Sequence, residues 1–369
     1  MDTYKPRYEG PRWSIVYGTY SGVEAVAVND LQRLAQGCLP YVVAVQPADA
    51  FKPVAGEHAL LVGTPRNNRW IADLARRKRV DVPRAREGYA VAIQDSPWQA
   101  KGRVIAVAGA DAKGVLNGVA DFGAKLFARE VMPLLDRHAR EAFDRIPDAA
   151  LSGSPAIENR GIWTWGYVIY DYRRFLDAMA RLKMNMLVMW NDCPPLNLRE
   201  IVAYAHDRGI KIIAGFHWGW GLGGVSLADR AARKRVKAHV IGHYESGYAG
   251  TGVDGIYFQT LTEHTETGSG GRSTAALACE WVNNIARSLL AKYPDLYIQF
   301  GLHATSIVEH YVDLKPLDER IAIVWEDAGV VPYCAPCREA GAAGYVPMLE
   351  FPAGSHFAQH GLQIGRAHV

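Results

Sequence analysis

Carboxylates, imidazoles and indoles recur at the ends of apolar runs between Arg160 and Asp327. Glu263 closes the run 253–263, and Glu326 with Asp327 closes 321–327. Trp163 and Trp165 lie in 160–165, Trp190, Asn191 and Asp192 end 186–192, His217 and Trp218 end 211–218, His303 ends 296–303, and Trp325 precedes Glu326. Carboxyls on separate strands can divide the work of proton donor and acceptor. Indole rings offer broad apolar faces on which sugar rings stack, and histidines can bond sugar hydroxyls. Together the run ends describe an enzyme cleft.

Each residue also has a plainer reading. Ile256, Tyr257 and Phe258 put an apolar wall before Glu263, which raises a carboxyl's pKa and suits an acid. Glu263 could equally be a solvated loop residue, with Glu266 a competing candidate. Glu326 and Asp327 could bind backbone amides of the next loop. Asp192 could bind a sugar hydroxyl or form a turn before Pro194. A single buried tryptophan is more often core than site, but five at the same end of successive strands make at least two stacking platforms expected. His217 and His303 bond substrate or sit satisfied in the core. There is no HxH or HExxH spacing, so no metal is expected.

Strand and helix patterns alternate through this region, and the strands are nearly continuous in apolar residues. That argues for a parallel sheet buried on both faces, in which polar carboxyl ends meet at the mouth of a (β/α)8 TIM barrel. Helices are expected over 172–183, 198–207 (stopped by Gly209) and 275–292, with a basic helical run at 230–237 and a flexible loop at 268–271. Residues 1–150 read as a smaller α/β domain. It has strands at 13–17, 41–45 and 59–63, a strand pair at 88–93 and 103–108, and helices over 23–36, 69–77 and 112–127, the last capped by Asp111. Gly109–Gly114 lacks the Gly-Lys-Ser/Thr ending of a phosphate loop. The segment 140–159, with Pro147, Gly153 and Pro155, reads as a connector, and the barrel as 156–362.

About 200 residues follow the connector, whereas an eight-stranded barrel needs roughly 250, so the barrel reads as truncated at its C-terminus. One more strand is expected at 344–351. Residues 363–369 read as an artefact, because Ile364–Val369 translates a widely used sequencing adapter.

Composition narrows the class. A net charge of +3 over 369 residues, with basic and acidic residues interspersed, carries no nucleic-acid footprint. No apolar window reaches bilayer length, and no signal-peptide core follows Met1, so the chain as written reads as not exported. Five cysteines, Cys38, Cys193, Cys279, Cys334 and Cys337, are too few and of the wrong number for a disulfide framework.

Gly88–Ile93 followed by Ile105–Val119 resembles the N-terminal accessory domain shared by β-N-acetylhexosaminidases of glycoside hydrolase family 20 and α-glucuronidases of family 67. Asn159-Arg160-Gly161 and the stretch 175–187 are similar to the first strand, helix and second strand of family 20 barrels. The resemblance covers roughly residues 56–220. It implies a non-catalytic domain before a TIM-barrel glycosidase that needs no cofactor and takes a carbohydrate as its partner. Arg160 matches the arginine that binds hydroxyls of the terminal sugar; alternatively it pairs with a carboxylate at the barrel rim. Thr262 stands where family 20 carries the aspartate that orients the substrate's acetamido group, while Glu263 matches the acid. With Glu263 as acid and Glu326, aided by Asp327, as base or nucleophile, the expected activity is removal of a terminal sugar from an oligo- or polysaccharide. The alternatives are an inactive carbohydrate-binding protein or a substrate-assisted N-acetylhexosaminidase.

Overall fold

The computed structural model describes residues 11–134, 139–165, 168–191, 193–216, 222, 225–259, 268–303 and 308–326. These divide into two compact units. The first comprises residues 1–158, 174–184 and 206–209, and the second 159–173, 185–205 and 210–369.

The first unit is built on a six-stranded sheet ordered β2-β1-β3-β5-β4-β6. Its strands are β1 (Trp13–Tyr17), β2 (Ala44–Pro47), β3 (His58–Gly63), β4 (Tyr89–Asp95), β5 (Arg103–Gly109) and β6 (Ala149–Gly153). β1, β2, β3 and β5 run parallel, and β4 is antiparallel to both β5 and β6. All six residues of β3 are buried, as expected of a central strand covered on both faces. On one face Leu61, Ala106 and Ala108 pack with Ile71 and Leu74 of α2 (Arg69–Arg76). The other face carries α1 (Gly22–Gln36) and α3 (Ala112–Asp121). Asp111 caps α3 by accepting the Gly114 N–H, and its second oxygen accepts the Glu87 N–H, each at 2.8 Å. This is the cap expected at Gly109–Gly114.

Three local features differ from the sequence reading. The helix expected over 112–127 gives way at Phe122 to a π-turn (Phe122–Phe127) before a short α4 (Ala128–Glu130). The segment read as a connector holds α5 (Ala139–Asp144) and β6. The second strand begins at Ala44, not Tyr41; the Tyr41 hydroxyl accepts the Trp13 N–H at 2.8 Å, just before the β1–β2 pairing starts at Ser14 and Ala44.

The second unit is a curled, all-parallel sheet in strictly sequential order, a TIM-barrel-like α/β architecture. It comprises β7 (Gly161–Trp165), β8 (Met186–Trp190), β9 (Lys211–Phe216), β10 (Gly255–Gln259), then, beyond a small hairpin, β13 (Tyr297–His303) and β14 (Ile321–Glu326). Helices α6 (Tyr172–Arg181), α7 (Leu198–His206), α8 (Arg230–Gly247) and α9 (Thr274–Lys292) alternate with these strands. The greater part of α6 clusters with the first unit. The expected flexible loop at 268–271 is a hairpin of β11 (Gly268–Ser269) and β12 (Arg272–Ser273), turned through Gly270 and Gly271 at φ of +59° and +77°. Along α8 and α9, Arg233 pairs with Glu280, Lys237 with Asn284 and Glu245 with Lys292, each 47 residues apart. A constant offset is the signature of parallel neighbouring helices, as consecutive crossovers of a barrel require.

The amino ends of the strands are clamped by side chains. Asn185 accepts the Arg160 N–H on Oδ1 at 2.8 Å, donates its own N–H to Arg160 O at 2.9 Å, and accepts the Lys211 N–H on its carbonyl at 2.9 Å. Asp254 repeats all three bonds, with Ile212 in place of Arg160 and Tyr297 in place of Lys211.

Candidate functional site

Backbone register sets which residues share a level of the second sheet. One row runs Trp165, Trp190, Gly215, Tyr257, Gln299 and Ala322. Toward the carboxyl ends, His303 and Glu326 are register partners on β13 and β14. Glu263 follows the last residue of β10, Gln259, by four positions, in the stretch 260–267 outside the described residues.

Asp192, His217, Trp218, Glu263 and Asp327 lie outside the described residues altogether, as do Glu266, the strand expected at 344–351, and residues 363–369. Trp165, His303, Trp325 and Glu326 are described in backbone only. Of the remaining candidates, Arg160 immediately precedes β7, at its amino end. The carboxyl end of that strand is five residues on, roughly 16 Å away.

Trp163 and Trp190 are buried, at 7% and 4% exposure, and pack on each other and on Tyr257. The Trp163 and Tyr257 rings lie 4.9 Å apart and tilted. Trp190 meets both edge to face, at 6.3 Å from Trp163 and 5.5 Å from Tyr257. Those are the spacings at which aromatic quadrupoles attract. The cluster also fixes Gly215, because a Cβ there would stand 2.8 Å from Trp190 Cε3. Met186, Val188 and Ile213 complete the group, and Tyr297 and Val324 pack against it.

Asn191 follows β8, and its side chain hydrogen-bonds Tyr172 at the start of α6. That bond ties the segment after β8 to the segment after β7. Burial pushes the Tyr172 phenol above its ordinary value, and the Asn191 bond offsets part of the rise. Among the described residues no three His, Cys, Asp or Glu side chains converge as a metal site would require.

Sequence reasoning took Tyr257 only as apolar wall and did not single out Gln299. The readable signal was a glutamine in the otherwise apolar strand 296–300, which the structure buries at 0% exposure beside Tyr257.

No family model matches the chain and no curated protein matches it by sequence. Solved structures do match in fold. One described as CpGH84B aligns at 10% identity and a TM-score of 0.53 over 86% of this chain and 54% of its own length. A GH20 β-N-acetylhexosaminidase from Streptomyces coelicolor A3(2) aligns at 11% and 0.52 over 88% and 68%. A Streptomyces plicatus β-hexosaminidase in complex with the product GlcNAc aligns at 12% and 0.50 over 86% and 66%. The chain thus spans about half the length of the first. At these identities the likeness is one of fold.

Proposed function

We propose that the protein is a glycoside hydrolase that releases a terminal sugar from an oligo- or polysaccharide at the carboxyl end of its parallel sheet. Glu263 acts as general acid and Glu326, with Asp327, as base or nucleophile. The observation that carries the reading is the backbone register of β13 and β14, which makes Glu326 and His303 partners at neighbouring carboxyl ends. β10, the strand before Glu263, lies on the other side of β13. Two strand spacings separate β10 from β14, about 10 Å between backbones. Two side chains reaching across that gap span the carboxyl separations that glycosidases use. The fold neighbours support the same class, since they include a β-N-acetylhexosaminidase and a β-hexosaminidase holding GlcNAc.

In this reading residues 1–150 form an accessory α/β domain and residues 156–362 the catalytic barrel. Asn191, Asp192, His217 and His303 bond sugar hydroxyls, and Trp165, Trp218 and Trp325 supply apolar faces, whereas Arg160, at the amino end of β7, lies too far away to share them. The neighbours make an N-acetylglucosaminide the first substrate to try. Thr262 removes the carboxylate that a substrate-assisted route would use, so a glucuronide is the second.

The test is hydrolysis of 4-nitrophenyl N-acetylglucosaminide, 4-nitrophenyl glucuronides and glucuronoxylan oligosaccharides by the purified protein and its Glu263→Gln and Glu326→Gln forms. One sugar is expected to be released, and each substitution to lower kcat by about 10²–10⁴-fold. A folded protein silent on every substrate, yet still binding sugars, would replace this reading with that of a carbohydrate-binding protein.

A further inference from the structure

The connections of the first sheet diverge between two of its parallel strands. β1 continues through α1 to β2 on one side, whereas β3 continues through α2 toward β4 and β5 on the other. α1 and α2 cover opposite faces, and Tyr17 and Val62 are register partners. The carboxyl ends of β1 and β3 therefore stand side by side where the connections part. In open α/β sheets that is the place where ligands bind.

Asn67 fills the crevice at this point. A Cβ at Gly18 would overlap its Oδ1, and one at Gly63 would stand 2.8 Å from it. Its amide nitrogen donates to Thr19 Oγ1 at 2.9 Å and to the two Glu24 oxygens at 2.9 and 3.0 Å. Glu24 is buried and also accepts the Thr19 N–H. The loop from β1 into α1 is thus fastened to the end of β3, and Tyr20 stands on it. The Tyr20 hydroxyl donates to Asn29 Oδ1 at 2.7 Å, and its ring lies 5.3 Å from that of Tyr17. Tyr20 is nevertheless 50% exposed, and among the described aromatic residues of the first unit it alone is exposed.

A ring held in one orientation and left half in water loses side-chain freedom without the full return of burial. Its orientation is already set for a partner that brings an apolar face. The groups around it are polar: Ser21 is exposed and its side chain leaves α1 uncapped, Asn29 holds the phenol, and exposed Arg66 adjoins Asn67. Gly22, at φ of +51°, has open space where a side chain would stand. A sugar ring is apolar on its faces and carries hydroxyls round its edge, which complements a tyrosine ring flanked by hydroxyl, amide and guanidinium groups.

We infer that Tyr20 is the platform of a second sugar-binding site, built on the first unit from none of the residues of the second sheet, which holds an internal unit of the saccharide chain. The choice of a sugar rests on the glycosidase reading; the fastened, half-exposed ring does not.

The experiment measures binding of glucuronoxylan and of chitohexaose by titration calorimetry. It uses the full chain carrying Glu263→Gln, alone and combined with Tyr20→Ala or Tyr20→Trp. Hydrolysis of 4-nitrophenyl N-acetylglucosaminide and glucuronides, which have no second sugar unit, is measured for Tyr20→Ala against the parent chain. Tyr20→Ala is expected to weaken binding of one of the two saccharides about three- to tenfold, and Tyr20→Trp to restore it. The kcat and KM on 4-nitrophenyl glycosides should not change. Equal binding in Tyr20→Ala would overturn the inference, as would a loss that Tyr20→Trp fails to restore, since the residue would then act only on the shape of its loop. A changed KM on 4-nitrophenyl glycosides would also overturn it, by assigning Tyr20 to the reaction site. A chain that binds neither saccharide but hydrolyses a 4-nitrophenyl glycoside would overturn the inference and leave the glycosidase reading standing. Tyr20-dependent binding in a parent chain that hydrolyses nothing would sustain the inference and overturn that reading instead.

Discussion

A single imidazole in the first unit has a clear dependence on acid. His58 is 5% exposed, packs 4.7 Å from the Trp13 ring, and accepts the Arg103 N–H on Nδ1 at 2.9 Å. That acceptor exists only in the neutral ring. Burial holds the imidazole below its ordinary 6.5; Asp144 nearby pulls the other way. The unfolded chain therefore takes up the proton first as pH falls. The contribution of His58 to stability is whole above 6.5 and drains away as pH drops through 6.5 toward the lowered folded value. Melting temperatures recorded from pH 7.5 to 5 should fall across that window, and His58→Gln, whose side-chain oxygen can still accept from Arg103, should flatten the fall. Equal slopes in the two proteins would assign the acid sensitivity elsewhere. The reach of sequence reasoning at this scale is uneven. Asp111 declared its cap through its place before an apolar helical period. Trp163 and Trp190 did not declare their burial, because an indole at a strand end has the same spacing whether it faces a substrate or another indole.

Among the elements, strand–helix alternation made the sequential parallel sheet legible, since nearly continuous apolar strands have few other homes. The antiparallel pair β4–β5 was legible for the same reason, as two apolar runs joined by a polar turn. What escaped was short or locally irregular. β6 is a five-residue run in which Leu151 alone is large, ending at Gly153, and β11–β12 spends two residues per strand around two glycines. Neither offers enough periodicity to stand out from a loop. The π-turn after Asp121 left the apolar pattern of α3 undisturbed, and only backbone geometry reveals it. The clamps at the amino ends of the strands give this scale its prediction. Asn185→Ala leaves the half-buried Arg160 N–H without its acceptor and should cost about 1–3 kcal/mol, lowering the melting temperature of the second unit by a few degrees. Asn185→Asp restores an acceptor, as Asp254 does naturally, and should melt close to the parent. If the two variants melted alike, the lost bond would not be the cause.

On the scale of the whole molecule, the compact units do not follow the order of the chain. Residues 174–184 and 206–209 belong with the first unit, and the contacts say why. Lys113, 8% exposed, donates Nζ to the carbonyls of Met184 at 3.1 Å and Arg208 at 2.7 Å. Asp121, 3% exposed, pairs with Lys125 and Lys183 and accepts the Tyr89 hydroxyl. Burial alone would raise its carboxyl, but the two ammoniums and the phenol together hold it below the usual carboxylate range. A fragment ending at residue 158 loses Lys183 and both carbonyls. It should melt at least about 5 °C below the corresponding transition of the full chain, followed by circular dichroism; coincident melting would show those contacts to be idle. The bonds of Asn185 and Asp254 have a further meaning for how the second sheet can change over time. They occur twice, two strands apart, so the amino rim uses one bonding pattern at two places. At the carboxyl rim each strand ends in a different set of residues. One rim repeats and the other varies, and a lineage can therefore rewrite the varying rim for new chemistry while the repeated one keeps the strands in register.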